Sequence, residues 1–414
     1  MGIAIYTLTS SLHDEASVNE ATREFLGRLD VEYVFKGNDF SDYGAGSLDV
    51  IYVRTGGTEG VFRQLLPELM NKSSQPFYLL ASDKSNSLAA SMEILSFLNQ
   101  QGLKGEIIHG KDEYMSERLK IIEKVSNARK SLLGKRLGII GKPSDWLISS
   151  NADREVVHDC LGVELIDMGM EELVEIIGSL SGQTLTPPAI PGMTGNPEEN
   201  VRSAMPGAWA IYLALNNIVH RHRLDGLTLR CFDLLGTVHN TGCLALARLN
   251  SEGVVASCEG DVPAMLTMLI TQALTGETGF QANPSRIDPQ TGEMLFAHCT
   301  IPFNMVNRFE LDTHFESGIG VGIRGYMEEG DVTIFKVSAD MRRFFAEEGQ
   351  LLRCQANPGL CRTQMVVRLD EPSKTNYFLT EPIGNHHIIL PGHHKAIIEQ
   401  FFKLSAFSEL ASPN

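Results

Sequence analysis

Long stretches of positive charge are missing from this 414-residue chain: no basic cluster exceeds His220-Arg221-His222-Arg223, and the net charge is −16. A nucleic-acid partner requires a positive footprint, so none is expected. No apolar run is long enough to span a bilayer, so no membrane partner is expected. The opening Met1-Gly2-Ile3-Ala4-Ile5-Tyr6 lacks a basic stretch followed by a long apolar one, and no export signal is expected. The seven cysteines are scattered without a Cys-x-x-Cys pair, as expected for reduced thiols in a cytoplasmic protein. Absent too are a Gly-x-Ser-x-Gly nucleophile elbow, a Walker loop, internal repeats and low-complexity tracts.

What remains is an ordinary globular composition, 43% hydrophobic and 21% charged, in a chain too long for one hydrophobic core. The first part alternates short β-branched runs with helical periodicity: strands at 3–8, 50–54 and 77–81, helices at 59–70, 87–101 and 112–133. Such alternation implies a parallel sheet covered on both faces. A second α/β unit begins near Lys135, with strands at 163–168, 227–232 and 254–258 and a long helix at 198–222. Beyond residue 300 the pattern becomes short strands separated by turns, at 321–326, 332–338, 351–355, 364–369 and 387–390, closed by a helix at 395–404. The expected architecture is therefore α/β: two Rossmann-like parallel-sheet domains, 1–134 and 135–290, followed by a β-rich, barrel-like domain over 291–414.

Four of the 12 histidines fall within nine positions in Gly384-Asn385-His386-His387-Ile388-Ile389-Leu390-Pro391-Gly392-His393-His394. Histidine is the commonest protein metal ligand, and small residues flank the first pair, so a bound cation is expected. Two other places carry suitable donors. The strand ending at Cys258 runs into Glu259-Gly260-Asp261 before a helix, and carboxyl ends of parallel strands face the ligand crevice. Asp261 reads equally well as the cap of that helix. Glu259, at the end of an apolar strand, needs a partner or a cation. His298 ends the run Met294-Leu295-Phe296-Ala297, where a lone histidine is more often structural than a ligand. Gly318–Ile323 runs into a strand and so fails the context of a dinucleotide loop, and Thr55-Gly56-Gly57 reads as a tight strand-to-helix turn.

Taken together, Cys258-Glu259-Gly260-Asp261-Val262-Pro263, Ala297-His298-Cys299-Thr300 and Gly384-Asn385-His386-His387 resemble the L-fucose isomerase and L-arabinose isomerase superfamily. The resemblance implies a homo-oligomeric sugar isomerase with a divalent metal, Mn²⁺ before Co²⁺, Mg²⁺ or Zn²⁺. It implies Glu259 as metal ligand and catalytic group, and His298 with one of His386 and His387 as further ligands. Where the family has a second acidic ligand, this chain offers Asn283, 24 residues after Glu259. An amide oxygen can coordinate a hard cation but cannot act as a base, which leaves Asp261 to complete the acid–base pair. The expected activity is aldose–ketose isomerisation of a pentose, deoxyhexose or modified sugar through an enediolate. The alternatives are another metal-dependent sugar or polyol reaction, such as epimerisation or elimination, and a non-catalytic sugar-binding protein.

Overall fold

The computed structural model describes residues 2–73 and 76–403. The chain divides into two compact units, one built on the residues up to Lys130 with the chain from Glu399, the other on Ser131–Ile398.

In the first unit the strands β1 (Ile3–Leu8), β2 (Tyr33–Gly37), β3 (Leu48–Val53), β4 (Phe77–Ala81) and β5 (Gly105–Ile108) alternate with α1 (Glu15–Leu26), α2 (Glu59–Lys72), α3 (Ser87–Gln100) and α4 (Asp112–Leu132). All pairs are parallel, in the order β2-β1-β3-β4-β5. Every residue of β1, β3 and β4 is buried. That explains why these strands read as continuous apolar runs rather than as an in–out alternation. At Thr55-Gly56-Gly57 the chain makes a tight turn: the Ser10 N–H donates to Thr55 Oγ1 at 3.0 Å and Gly57 has φ +79°.

The second unit combines a parallel sheet with a barrel. The sheet strands β6 (Arg136–Ile140), β7 (Glu164–Met168), β8 (Gly226–Leu229) and β9 (Val255–Cys258) lie in the order β7-β6-β8-β9. Six helices accompany them: α5 (Arg154–Leu161), α6 (Met170–Ser179), α7 (Glu199–His222), α8 (Asp233–Thr237), α9 (Cys243–Ser251) and α10 (Val262–Thr275). α10 starts where Asp261 Oδ1 accepts the Ala264 N–H at 2.8 Å, has Pro263 in its first turn, and stops at Gly276 with φ +87°.

The remaining strands are β10 (Phe280–Ile287), β11 (Glu293–His298), β12 (Arg308–Asp312), β13 (Gly322–Tyr326), β14 (Gly330–Val337), β15 (Phe344–Cys354), β16 (Thr363–Leu369) and β17 (His387–Pro391). Six of them close a barrel in the order β10-β11-β16-β15-β14-β17, while β12 and β13 form a separate pair. The helix α11 (Asn376–Thr380) precedes β17, and α12 (Lys395–Lys403) follows it; Leu404, where the sequence pattern ends, lies outside the described residues. The buried Gln281 side chain ties barrel to sheet: its Oε1 accepts the Cys258 N–H at 2.8 Å. Thr267 Oγ1 of α10 likewise accepts the Val337 N–H of β14 at 3.1 Å. These links hold the end of β9 against the strands that carry the histidines.

Candidate metal centre

β9 delivers Glu259 through an unusual turn. Glu259 and Gly260 both adopt positive φ, +64° and +71°. For Gly260 the reason is close approach: a Cβ there would lie 2.4 Å from the Lys142 carbonyl oxygen. Glu259 has no such exemption, and a side chain held in the left-handed region stores strain of order 1 kcal/mol or more. The turn is held by the loop after β6, whose Ser144 N–H donates to the Glu259 carbonyl at 2.9 Å.

Glu259 Oε1 lies 3.5 Å from His386 Nε2 and 3.8 Å from His298 Nε2. One ligand atom from each of the three buried residues lies within 4.8 Å of the others. The two imidazoles stand nearly perpendicular, 75° apart with centroids at 5.4 Å. Each is held from behind. His386 Nδ1 donates to Asp261 Oδ2 at 2.8 Å, and His298 Nδ1 is hydrogen-bonded to Thr300 Oγ1 at 2.8 Å. Asp261, fully buried, also pairs with the buried Lys336 ammonium at 3.8 Å. The Trp146 indole N–H donates to Glu259 Oε2 at 2.6 Å.

The electrostatics follow from burial and pairing. Burial pushes the Glu259 carboxyl up, but His386 and His298 reverse this and hold it well below the usual carboxylate range. Burial raises Asp261 too, and Lys336 with His386 brings it below its ordinary value. At His386 burial works downward, yet Glu259 and Asp261 together push it up to about 9. His298 is shifted down by burial, only partly opposed by Glu259.

A divalent cation fits this donor set. Among the described residues the buried His386 Nε2 has no hydrogen-bond partner and faces Glu259 Oε1, which marks a position that a cation can take in exchange for the ring proton. One carboxylate and two imidazoles suit a borderline ion such as Mn²⁺, Co²⁺ or Zn²⁺. The partners behind the rings are the outer-shell groups that set tautomer and orientation in such centres.

The other residues singled out in the sequence lie differently. His387 is buried on the opposite side of its strand: Nδ1 is bonded to the Asn385 carbonyl at 3.1 Å and Nε2 to the Tyr377 hydroxyl at 3.0 Å. Burial, helped by Lys336, pushes it down to about 3. Asp261 stands behind His386 rather than beside Glu259, with both oxygens engaged. Asn283 lies opposite Ala297 in register and its Oδ1 accepts from Asn385 Nδ2 at 2.9 Å. His393 pairs with Asp331 at 3.1 Å and Glu348 at 3.3 Å, and His394 Nε2 bonds the Pro391 carbonyl at 2.8 Å. Sequence reasoning missed Trp146, Thr300 and Lys336. Only Lys336 left a signal, as a lone cation inside the apolar run Ile334-Phe335-Lys336-Val337.

No protein-family model matches the sequence. Curated proteins named sulfoquinovose isomerase are similar to it at low identity. The protein of Priestia aryabhattai is 25% identical over 239 residues, covering 55% of this chain and 52% of the relative. That of Alkalicoccus urumqiensis is 20% identical over 230 residues, 54% of this chain and 52% of the relative. That of Clostridium sp. (strain MSTE9) is 29% identical over 154 residues, 36% and 33% respectively. The chain thus spans about half the length of the first of these relatives.

Proposed function

We propose that this chain is a metal-dependent aldose–ketose isomerase acting on a modified sugar, with sulfoquinovose the first substrate to test. The observation that carries the reading is the convergence of Glu259, His298 and His386 within 4.8 Å, with His386 Nε2 buried and without a hydrogen-bond partner among the described residues. The names of the similar proteins support the same class. A divalent cation bound by these three residues would supply an electrophile that stabilises the charge of an enediolate.

The chain's own groups supply the rest. Glu259, ionised throughout the physiological range, is the one carboxylate of the three converging residues and the candidate proton acceptor. Asp261 acts through His386, holding its Nδ1–H and so aiming Nε2 forward. Moving a proton between adjacent carbons on one face of an enediol uses a single base twice, whereas inversion at carbon needs groups on both faces. With Asp261 turned behind His386, one carboxylate faces the centre among the described residues, which favours isomerisation over epimerisation.

The test is an NMR assay of aldose–ketose interconversion on sulfoquinovose, deoxyhexoses and pentoses, using metal-stripped protein reloaded with Mn²⁺, Co²⁺, Mg²⁺ or Zn²⁺. Metal-dependent turnover that disappears in a folded Glu259→Gln variant is expected. Stoichiometric metal with no turnover on any sugar would falsify the assignment.

A further inference from the structure

The two oxygens of the Glu259 carboxylate have different neighbours. Oε1 faces His298 and His386, at 3.8 and 3.5 Å, while Oε2 accepts the Trp146 indole N–H at 2.6 Å. The indole therefore selects which oxygen is left for a cation. It does so from the same loop that clamps the Glu259 backbone through Ser144. Holding Oε2 requires only a donor N–H or O–H at that point. An indole adds a broad apolar plane, and that plane is not buried: Trp146 is 52% exposed, although its N–H touches a buried carboxylate. The ring runs from the centre out to solvent. Phe232 stands perpendicular to it, 83° at 4.9 Å, and fixes its tilt. Aromatic faces are electron-rich and take up C–H groups that carry partial positive charge, which is what one side of a sugar presents.

We infer that Trp146 has two functions at this centre: it is the positioning residue that orients the Glu259 carboxylate, and its exposed face is the platform on which the C–H side of the sugar stacks. The second function rests on the proposed sugar-isomerase reading; the first requires only that the centre binds a cation.

The chain has two tryptophans, and Trp209 stacks on Tyr212 in α7 at 4.5 Å. Trp209→Phe in the full-length chain therefore leaves Trp146 as the sole tryptophan, read selectively by excitation at the red edge where tyrosine does not absorb. Titration of that variant with Mn²⁺ alone should quench its fluorescence saturably, and later addition of sulfoquinovose should shift the emission again. Free Mn²⁺, followed by electron paramagnetic resonance in the two-tryptophan background, gives the affinities. Trp146→Phe keeps a ring and removes the donor, so Mn²⁺ binding should weaken about tenfold. Trp146→Ala should match that loss and raise KM for the sugar about fivefold beyond the Phe variant. Unchanged Mn²⁺ affinity in Trp146→Phe overturns the positioning function; equal KM in the Phe and Ala variants overturns the platform. Should the parent protein bind Mn²⁺ yet turn over no sugar, the isomerase reading fails by itself. The Mn²⁺ comparison then still decides positioning, and the sugar-induced emission shift still decides stacking.

Discussion

The two ring nitrogens of His386 face different environments, and the difference governs how the centre meets a metal. Nδ1–H is committed to Asp261 at 2.8 Å, while Nε2 faces Glu259. Burial would make this imidazole neutral, but the two carboxylates push it up to about 9, so the metal-free protein holds a proton on Nε2 at neutral pH. A cation must displace that proton. His298, shifted down, and His387, at about 3, are neutral there and release none. Mn²⁺ affinity should therefore rise about tenfold per pH unit from about pH 7 to 9 and level off above. Calorimetric titrations in buffers of different ionisation enthalpy check this through one proton released per ion; a flat profile would contradict the assignment of His386 as a ligand. Asp261→Asn removes the charge behind the ring and should weaken Mn²⁺ binding about 10- to 100-fold. The same change leaves the buried Lys336 without its carboxylate, so a fall in thermal stability should accompany it.

At the scale of the element, strand geometry separates two histidines that are adjacent in the chain. Successive residues of an extended segment point to opposite faces, so His386 and His387 cannot both reach one centre. The structure turns His386 toward Glu259 and His387 toward Tyr377 and Phe378, the latter ring at 4.7 Å. Tyr377→Phe removes the hydroxyl bonded to His387 Nε2 and should cost about 1–3 kcal/mol in chemical denaturation. Mn²⁺ affinity should stay within about twofold, because this pair lies outside the ligand set. β10 illustrates a strand that periodicity does not announce. It contains Pro284 and a register shift between Pro284 and Arg286, and its pairing with β11 and β17 defines it rather than any local alternation.

For the whole molecule, the centre lies entirely within residues 131–398, where the Gln281 and Thr267 hydrogen bonds join sheet to barrel. Metal binding should therefore stabilise that unit selectively. In scanning calorimetry the component belonging to residues 131–398 should move up with Mn²⁺ and down with a chelator, gaining about 2.7 kcal/mol at a hundredfold excess over Kd. A transition of residues 131–398 that does not move with Mn²⁺ would contradict a centre that binds it there.

The alternation of apolar strands and helices, followed by closely spaced short strands without helices between them, determined the fold class, because helical and extended segments carry different hydrophobic periods. Glu259 and His298 were legible as donors at strand ends, and His386 and His387 as an undecided pair in the histidine-rich loop. Side-chain direction and long-range pairing were not. Trp146, Glu259, Asp261, Lys336 and His386 meet across 240 residues, brought together by the pairing of β6, β8 and β9 and by the barrel strands packed against the end of β9. The tertiary structure alone decided that His386 faces the centre, that Asp261 stands behind it, and that an indole holds the second oxygen of Glu259. Spacing along a chain carries periodicity, whereas a site is made of contacts between segments whose separation in sequence carries no information about their distance in space.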